Sequence, residues 1–292
     1  MLSWGSNGPV IPTVPPSPRH GTYPADNRMP SQPPNETQQS PDFLLVLPAF
    51  RELQRLPPYL ASLVQALASA PFTTQVLVVD DGSPAGEQRA LRSAVEAHST
   101  GNCRVLDPLM LPENGLKGDA ILAGWRSRPA TWLAFADADG ATSAAEVSRV
   151  LGEIMDLDPG QHRAHFAVRE TSGPARVRRT AVRRTLSMLF SRLAGLALHT
   201  EPMDFQCGFK VIPGRVLPAA ADSLQGRGLC FDLALFLALK SAGIPVRPVP
   251  IGWKDQPGGR VSPWRNGPGL VAGLWSLSRN GLGRGRADKG PA

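Results

Sequence analysis

A chain of 292 residues with 42% hydrophobic content can bury one full α/β core with a small extension, and is too short for two large independent domains. Its net charge of +7 invites a nucleic-acid reading, but the excess is arginine, concentrated between Arg163 and Arg192 and near the C-terminus, with little aromatic interleaving beyond Phe166 and Phe190. A cleft for phosphorylated ligands, or a face on anionic lipid, accounts for that charge more economically, and no nucleic acid is expected.

Residues 1–41 are dense in Pro, Ser, Asn and Gln and have almost no apolar periodicity, so they read as a disordered tail that cannot offset the entropy of ordering. From Phe43 the texture changes. Short apolar runs at 43–48 (FLLVLP), 75–79 (QVLVV), 103–107 (CRVLD) and 131–136 (TWLAFA) read as buried parallel strands. Between them, Leu60, Leu63, Val64 and Leu67 repeat at helical spacing, as do Leu91 and Val95, then Ala120, Ile121 and Gly124. The alternation implies βαβ units with right-handed crossovers and a site beyond the carboxyl ends of the strands. Further on, 162–168 (HRAHFAV) reads as another strand, Val177 to Leu198 as an arginine-studded amphipathic helix, Phe231 to Leu239 as a buried helix and 246–253 (VRPVPIGW) as a last extended run.

Cys103, Cys207 and Cys230 are widely spaced and odd in number, which fits neither a disulfide framework nor a CxxC metal site and indicates a reducing compartment. No stretch reaches the roughly 18 to 20 uninterrupted apolar residues of a membrane-spanning helix. The opening MLSWGSNGPVIPTVPP lacks the basic n-region and apolar run of a signal peptide. A cytoplasmic chain, peripheral at the inner face of a membrane, is the expectation.

Three of the strand ends deliver carboxylates. Pro48-Ala49-Phe50-Arg51-Glu52 follows the first, Asp80-Asp81-Gly82-Ser83 the second and Asp137-Ala138-Asp139-Gly140 the fourth. Asp-Gly is ordinary turn chemistry, but adjacent ends of one sheet would bring all three groups to one rim. Two unit charges about 4 Å apart repel by roughly 4 kcal/mol at an effective dielectric of about 20, so something cationic belongs there. A hard ion, Mg²⁺ or Mn²⁺, takes one or two carboxylates and completes its shell with phosphate oxygens and water, which makes a diphosphate substrate the natural partner. Glu113-Asn114-Gly115-Leu116-Lys117-Gly118 precedes a helix and offers the ingredients of an anion site. It has no P-loop spacing, and no GxGxxG follows the first strand.

In that order, LVLPAFRE, VLVVDDGS, ENGLKGDA, FADADGAT, DFQCGFK and CFDLALFLALKSAGIPVRPVPIGW resemble the family 2 glycosyltransferases of GT-A fold, and most closely the dolichyl-phosphate β-glucosyltransferases. The resemblance runs from about Phe43 to Asn280. It implies a mostly parallel central sheet flanked by helices, with a glycosyltransferase domain over 42–280 and a basic flexible tail over 281–292. It implies that Pro48, Ala49, Phe50 and Glu52, with Asp80 or Asp81, hold the uracil and ribose of a UDP-sugar, with Lys117 near the nucleotide. Asp137 and Asp139 would carry the metal and, through it, the diphosphate, while Asp232 would join them as a catalytic group. Gln206, Cys207, Gly208 and Lys210 would line the donor-sugar and acceptor side, with Arg178 and Arg179 reaching the acceptor. Two places depart from the family: Ala234 stands where an acid is common, and a Pro-rich tail stands where the eukaryotic enzymes carry a membrane anchor.

The expected activity is metal-dependent, inverting transfer of a hexose, glucose from UDP-glucose foremost, to a polyprenyl- or dolichyl-type phosphate at an anionic membrane surface. The alternatives are transfer to a soluble or glycan hydroxyl, and an inactive GT-A-like module that binds phosphorylated ligands. A nucleotidyltransferase shares the fold but wants a glycine-rich signature near its first strand, which is missing. Leu270, Val271, Leu274, Trp275 and Leu277, followed by Arg279, Arg284 and Arg286, have the apolar-plus-basic character of an interfacial segment. Because residues 1–40 present no apolar face to dock, their deletion is expected to leave the melting temperature unchanged; a large drop in a thermal melt of the truncated chain would contradict this.

Overall fold

The structure, a computed structural model, describes residues 40–95, 100–156, 163–169, 203–224, 226, 228–254 and 256, with positions 192 and 195. The expected arginine-studded helix and the apolar-basic C-terminal segment lie outside these, apart from positions 192 and 195. In chain order the described elements are β1 (Phe43–Ala49), α1 (Leu56–Leu67), β2 (Thr74–Asp80), α2 (Ala85–Val95), β3 (Cys103–Val105), β4 (Leu109–Met110), α3 (Leu116–Ser127), β5 (Trp132–Ala136) and α4 (Ala144–Met155). They continue with β6 (Ala164–Arg169), β7 (Phe209–Pro213), α5 (Leu217–Leu224), α6 (Phe231–Ser241) and β8 (Val246–Ile251).

The strands form one sheet in the order β3-β2-β1-β5-β7-β6-β8, with β4 also on β2. β1 runs parallel to β2 from Phe43↔Thr74 to Ala49↔Asp80, and parallel to β5 from Phe43↔Trp132 to Val46↔Phe135. β7 is antiparallel to both β5 and β6, and β8 is parallel to β6. The carboxyl ends of β1, β2, β5, β6 and β8 therefore share one rim with the amino end of β7. That is the GT-A α/β arrangement: a mostly parallel sheet between two helical layers.

The apolar runs make this sheet because it is covered on both faces. Along β1, Phe43, Leu45 and Leu47 join a core with α1, α2 and α4. The intervening Leu44 and Val46 join a second core with α3, α5 and α6. Alternation of side chains across the strand divides one apolar run between the two. The α1 stripe is Leu56, Tyr59, Leu60, Leu63, Val64 and Leu67, all buried, at the spacing of one helical face. α4 starts where Ser143 accepts the Glu146 N–H at 3.3 Å, a Ser-x-x-Glu start. In the other layer, fully buried Trp125 donates its indole N–H to the Ala134 carbonyl at 3.0 Å, so its large apolar surface is buried without an orphaned donor.

β7 was not expected as a strand. Its sequence FKVIP carries Lys210 in the middle of an apolar run, which breaks the pattern, yet all five residues are buried. The third run is also shorter than expected: it ends at Val105, and the separate strand β4 pairs with β2 beyond it.

His165, on β6, is buried beside the Trp132 ring at 6.0 Å, and its Nε2 has no hydrogen-bond partner. Burial first, and then the charges of Arg247 and Arg163 against a smaller opposing effect of Glu153, lower its pKa from 6.5 to about 4. The folded value lies below the unfolded one, so the unfolded chain holds the extra proton between them. Stability then falls as pH drops from about 6.5 to about 4. The expected outcome is that His165→Phe loses less stability than the parent between pH 7 and pH 5, read from urea midpoints. Equal losses would show that this imidazole contributes nothing to the acid sensitivity.

Candidate active site

The register of β1, β2 and β5 sets three loops side by side. At the end of β2 both aspartates turn inward: Asp80 is 1% exposed and accepts the Ser83 N–H at 2.8 Å and the Gln88 amide at 2.9 Å. Asp81 accepts the Gly115 N–H at 2.8 Å. The amide at the start of α3, read from sequence as an ingredient of an anion site, is thus given to the chain's own carboxylate. Burial raises the Asp81 pKa, with the Gly115 amide opposing it. Between these loops, Gly82 (φ 72°) comes so close to the other chain segment that a Cβ would stand 2.4 Å from the Glu113 carbonyl carbon.

The loop after β1 holds Phe50, half-buried, with the Arg51 guanidinium 5.3 Å from its ring centre. Pro48 and Ala49 end the strand, and Ala49 is buried. Glu52 is held by Arg55 through Nε at 2.7 Å and Nη2 at 2.5 Å. Arg55 Nη1 also lies 3.8 Å from Asp139 Oδ2. Arg51 (φ 53°) and Leu116 (φ 71°) are the non-glycine residues with left-handed backbone among those described. Each costs on the order of 1 kcal/mol; Arg51 lies in the loop after β1, and Leu116 adjoins the Asp81-bonded Gly115.

Asp137 and Asp139 follow β5. The Asp137 N–H donates to the Gly208 carbonyl at 2.9 Å, and a Cβ on Gly208 would lie 1.8 Å from Asp137 Oδ2. Only glycine fits there, so the QCGFK and DADG segments interlock. Asp139 accepts the Ala141 N–H at 3.0 Å. Its pKa is raised, first by burial and then by the charge of Asp137, against the opposing Ala141 amide and Arg55.

The remaining charges run beneath this pair. Lys117, in the first turn of α3, lies 2.7 Å from Asp137 Oδ1, 3.9 Å from Asp232 Oδ2 and 4.7 Å from the Phe135 ring centre. Burial works against its ammonium, but Asp137 and Asp232 outweigh it and hold the proton well above the usual lysine range. Lys210, 0% exposed on β7, pairs with Asp232 at 2.7 Å and donates to the Cys207 carbonyl at 2.7 Å. It lies 5.3 and 5.1 Å from the Phe135 and Phe166 ring centres. The cation inferred from clustered carboxylates is therefore met in part by the protein itself, through Lys117, Lys210 and Arg55.

Lys210 and Cys207 are both fully buried, so neither side chain is open to the solvent side of the rim. Burial, with the Asp204 charge, pushes the Cys207 thiol up to about 12 against the pull of Arg169 and Lys210, so it stays protonated. Gln206 is half-buried. Ala234, at the family's acidic position, is 1% exposed in the core. Arg178 and Arg179 lie outside the described residues. Sequence reasoning did not find Arg55, although Glu52-x-x-Arg55 is one helical turn apart. Nor did it find Arg169, which ends β6, pairs with Asp204 and lies 5.2 Å from the Trp253 ring centre; no motif announced that trio.

Asp232→Leu leaves a fully buried ammonium on Lys210 without its carboxylate, and a loss of about 3–5 kcal/mol is expected. The double variant Lys210→Met with Asp232→Leu, which buries no charge there, is expected to recover most of it. Urea unfolding of these two variants and of Lys210→Met checks this, and losses that add in the double variant would show that the pair is not coupled.

The model of glycosyl transferase family 2 matches residues 44–217. The dolichyl-phosphate beta-glucosyltransferase of Drosophila melanogaster is 30% identical over 237 residues, covering 78% of this chain and 72% of that one. The protein of the same name from Homo sapiens is 27% identical over 228 residues, 75% and 69% of the two chains. Among solved structures, Mycobacterium tuberculosis glucosyl-3-phosphoglycerate synthase with Mn²⁺, uridine-diphosphate and glucosyl-3-phosphoglycerate superposes with a TM-score of 0.55. It is 14% identical and covers 86% of this chain and 82% of that one. The same enzyme with Mn²⁺, uridine-diphosphate-glucose and phosphoglyceric acid gives a TM-score of 0.54 at 16% identity, over 82% and 80%.

Proposed function

The chain belongs to glycosyl transferase family 2, a glycosyltransferase enzyme, and from that premise we propose that it moves glucose from UDP-glucose to a polyprenyl- or dolichyl-type phosphate with inversion at the anomeric carbon. The observation that carries this reading is the Asp137–Asp139 pair at the shared rim of β1, β2 and β5, with Lys117 at 2.7 Å. The names of the relatives supply the acceptor class, and the fold neighbours that hold uridine-diphosphate and Mn²⁺ support the donor.

The donor set suits a hard divalent ion. Asp137 and Asp139 offer carboxylate oxygens, burial raises the Asp139 pKa, and among the described residues Arg55 and Lys117 lie against the pair. Among the described residues no group of three His, Cys, Asp or Glu forms a cage. Mg²⁺ or Mn²⁺ held by these two aspartates would complete its shell from the diphosphate and water, and when bound it would stabilise negative charge on the leaving group.

The chain's own residues do the rest. Pro48, Ala49, Phe50, Glu52 and the Asp80-Asp81 turn frame the nucleoside side. Lys117, firmly protonated, stands where charge develops on the departing diphosphate and offsets it. Gln206, Gly208 and the wall built on Cys207 and Lys210 face the sugar, and Asp232 orients both lysines. An oxygen of the acceptor phosphate attacks the anomeric carbon from the face opposite UDP, the carbon–oxygen bond to UDP breaks, and its electron pair stays on the β-phosphate. A phosphate acceptor is already ionised near neutral pH and needs no general base.

Attachment to an anionic membrane surface rests on the arginine-rich and apolar segments of the sequence, since no helix among the described residues is long and apolar enough to cross a membrane. Labelled UDP-glucose with polyprenyl phosphate is expected to give an organic-extractable glucosyl lipid in Mn²⁺ or Mg²⁺, with little product from GDP-mannose. Chelation or Asp139→Asn should reduce the rate by at least about 100-fold, the scale of losing a major electrostatic contributor. Near-wild-type activity in Asp139→Asn overturns the metal assignment, and transfer to a soluble acceptor alone overturns the lipid-phosphate one.

A further inference from the structure

Arg55 stands between two carboxylates that belong to different loops of the site. Glu52 grips it at two points, through Nε at 2.7 Å and Nη2 at 2.5 Å, the paired geometry that fixes a planar guanidinium. The remaining edge faces the acidic pair, with Nη1 3.8 Å from Asp139 Oδ2. Asp139 Oδ1 accepts the Ala141 N–H at 3.0 Å, so the oxygen that its own turn does not engage is the one toward the guanidinium. The grip is anchored in the backbone. The Glu52 carbonyl accepts the N–H groups of Arg55 at 3.1 Å and of Leu56 at 2.9 Å where α1 begins, and the Arg51 N–H ties the same loop to Ser83 Oγ at 2.8 Å. The Arg55 and Asp139 side chains are 23% and 25% exposed, so salt screens their interaction less than it would at an open surface.

A cation fixed at this place acts with opposite sign on two arriving species. It repels a lone divalent ion, which must share Asp139 with it. A nucleoside diphosphate carries more negative charge than the ion carries positive, so the two together arrive as a net anion, which the same guanidinium attracts. Resting on the donor-site reading above, we infer that Arg55, held by Glu52, couples the two ligands: it keeps a divalent ion weakly bound at Asp137 and Asp139 until the diphosphate is present, and strengthens binding of the two together. The coupling is reciprocal, so the ion raises the affinity for UDP by the same factor. Glu52 serves the site through Arg55, and the ion is loaded with the substrate rather than before it.

The test uses the full chain, with Arg55→Gln and Arg55→Met to remove the charge, Arg55→Lys to keep it, and Asp139→Asn as a control on the site itself. Mn²⁺ binding is followed by the electron-paramagnetic signal of the free ion, with Mn²⁺ alone and with Mn²⁺ plus UDP, against a protein-free titration of Mn²⁺ with UDP. Both neutral variants are expected to bind Mn²⁺ alone more tightly than the parent and Mn²⁺ with UDP more weakly. The enhancement by UDP then falls about tenfold, within the usual span of coupling between two ligands, while Arg55→Lys keeps most of it. A variant damaged in its fold binds less in both arms, so tighter binding of Mn²⁺ alone separates the electrostatic role from a structural one. Unchanged or weaker binding of Mn²⁺ alone by both neutral variants overturns the inference, as does an unchanged enhancement by UDP, or Arg55→Lys behaving as they do. If Asp139→Asn binds Mn²⁺ like the parent, the donor-site reading falls and takes the Arg55 inference with it. If Asp139→Asn loses binding while the neutral variants match the parent, only the inference falls.

Discussion

Carboxylates gathered at the rim of a parallel sheet repel one another, and their neutralisation governs the architecture around this site. The chain answers with an alternating line of charge, Lys210, Asp232, Lys117 and Asp137, whose salt-bridge contacts are 2.7, 3.9 and 2.7 Å. A second arm runs from Glu52 through Arg55 to Asp139. The buried end is expensive in isolation; among the described residues the fully buried Lys210 ammonium is met by a carboxylate, a carbonyl and two ring faces. At the other end, Lys117 and Asp137 are each about a quarter exposed at the side chain.

Steric constraints hold the charges in register. Gly208 fits against Asp137 because it has no Cβ, and the Asp137 N–H bonds its carbonyl. The segment before β7 and the segment after β5 are therefore one unit, joined further by the antiparallel pairing of Ala136 with Phe209. Asp80 and Asp81 contribute from below: they tie the β2 loop to α2 and to the start of α3. These aspartates shape the rim that the more exposed Asp137 and Asp139 line.

The proposed acceptor is itself a phosphate. Such an acceptor demands cations and a route to solvent more than it demands a base. Arg169 ends β6 at the same rim, paired with Asp204. Ala234, where relatives often place an acid, is packed in the core of α6; Asp232 alone carries the carboxylate function of that helix toward the lysines.

The amino-acid sequence by itself determined the α/β class, the strands β1, β2, β5, β6 and β8 to within a few residues, and the rim on which function sits. It could do so because strands covered on both faces must be apolar throughout, and helices on one face must be periodic. The charged residues after those strands were equally legible, since nothing in a buried strand end requires them. β7 was not legible, because Lys210 reads as a surface or ligand residue until its partners are known. The same holds for the difference between Asp80, consumed by its own loop, and Asp139, left with excess proton affinity, and for Arg55 and Arg169. Charge, burial and hydrogen-bond satisfaction are set by what lies across space, and residues as far apart as Lys117, Asp137, Lys210 and Asp232 become one electrostatic unit only when the sheet brings them together.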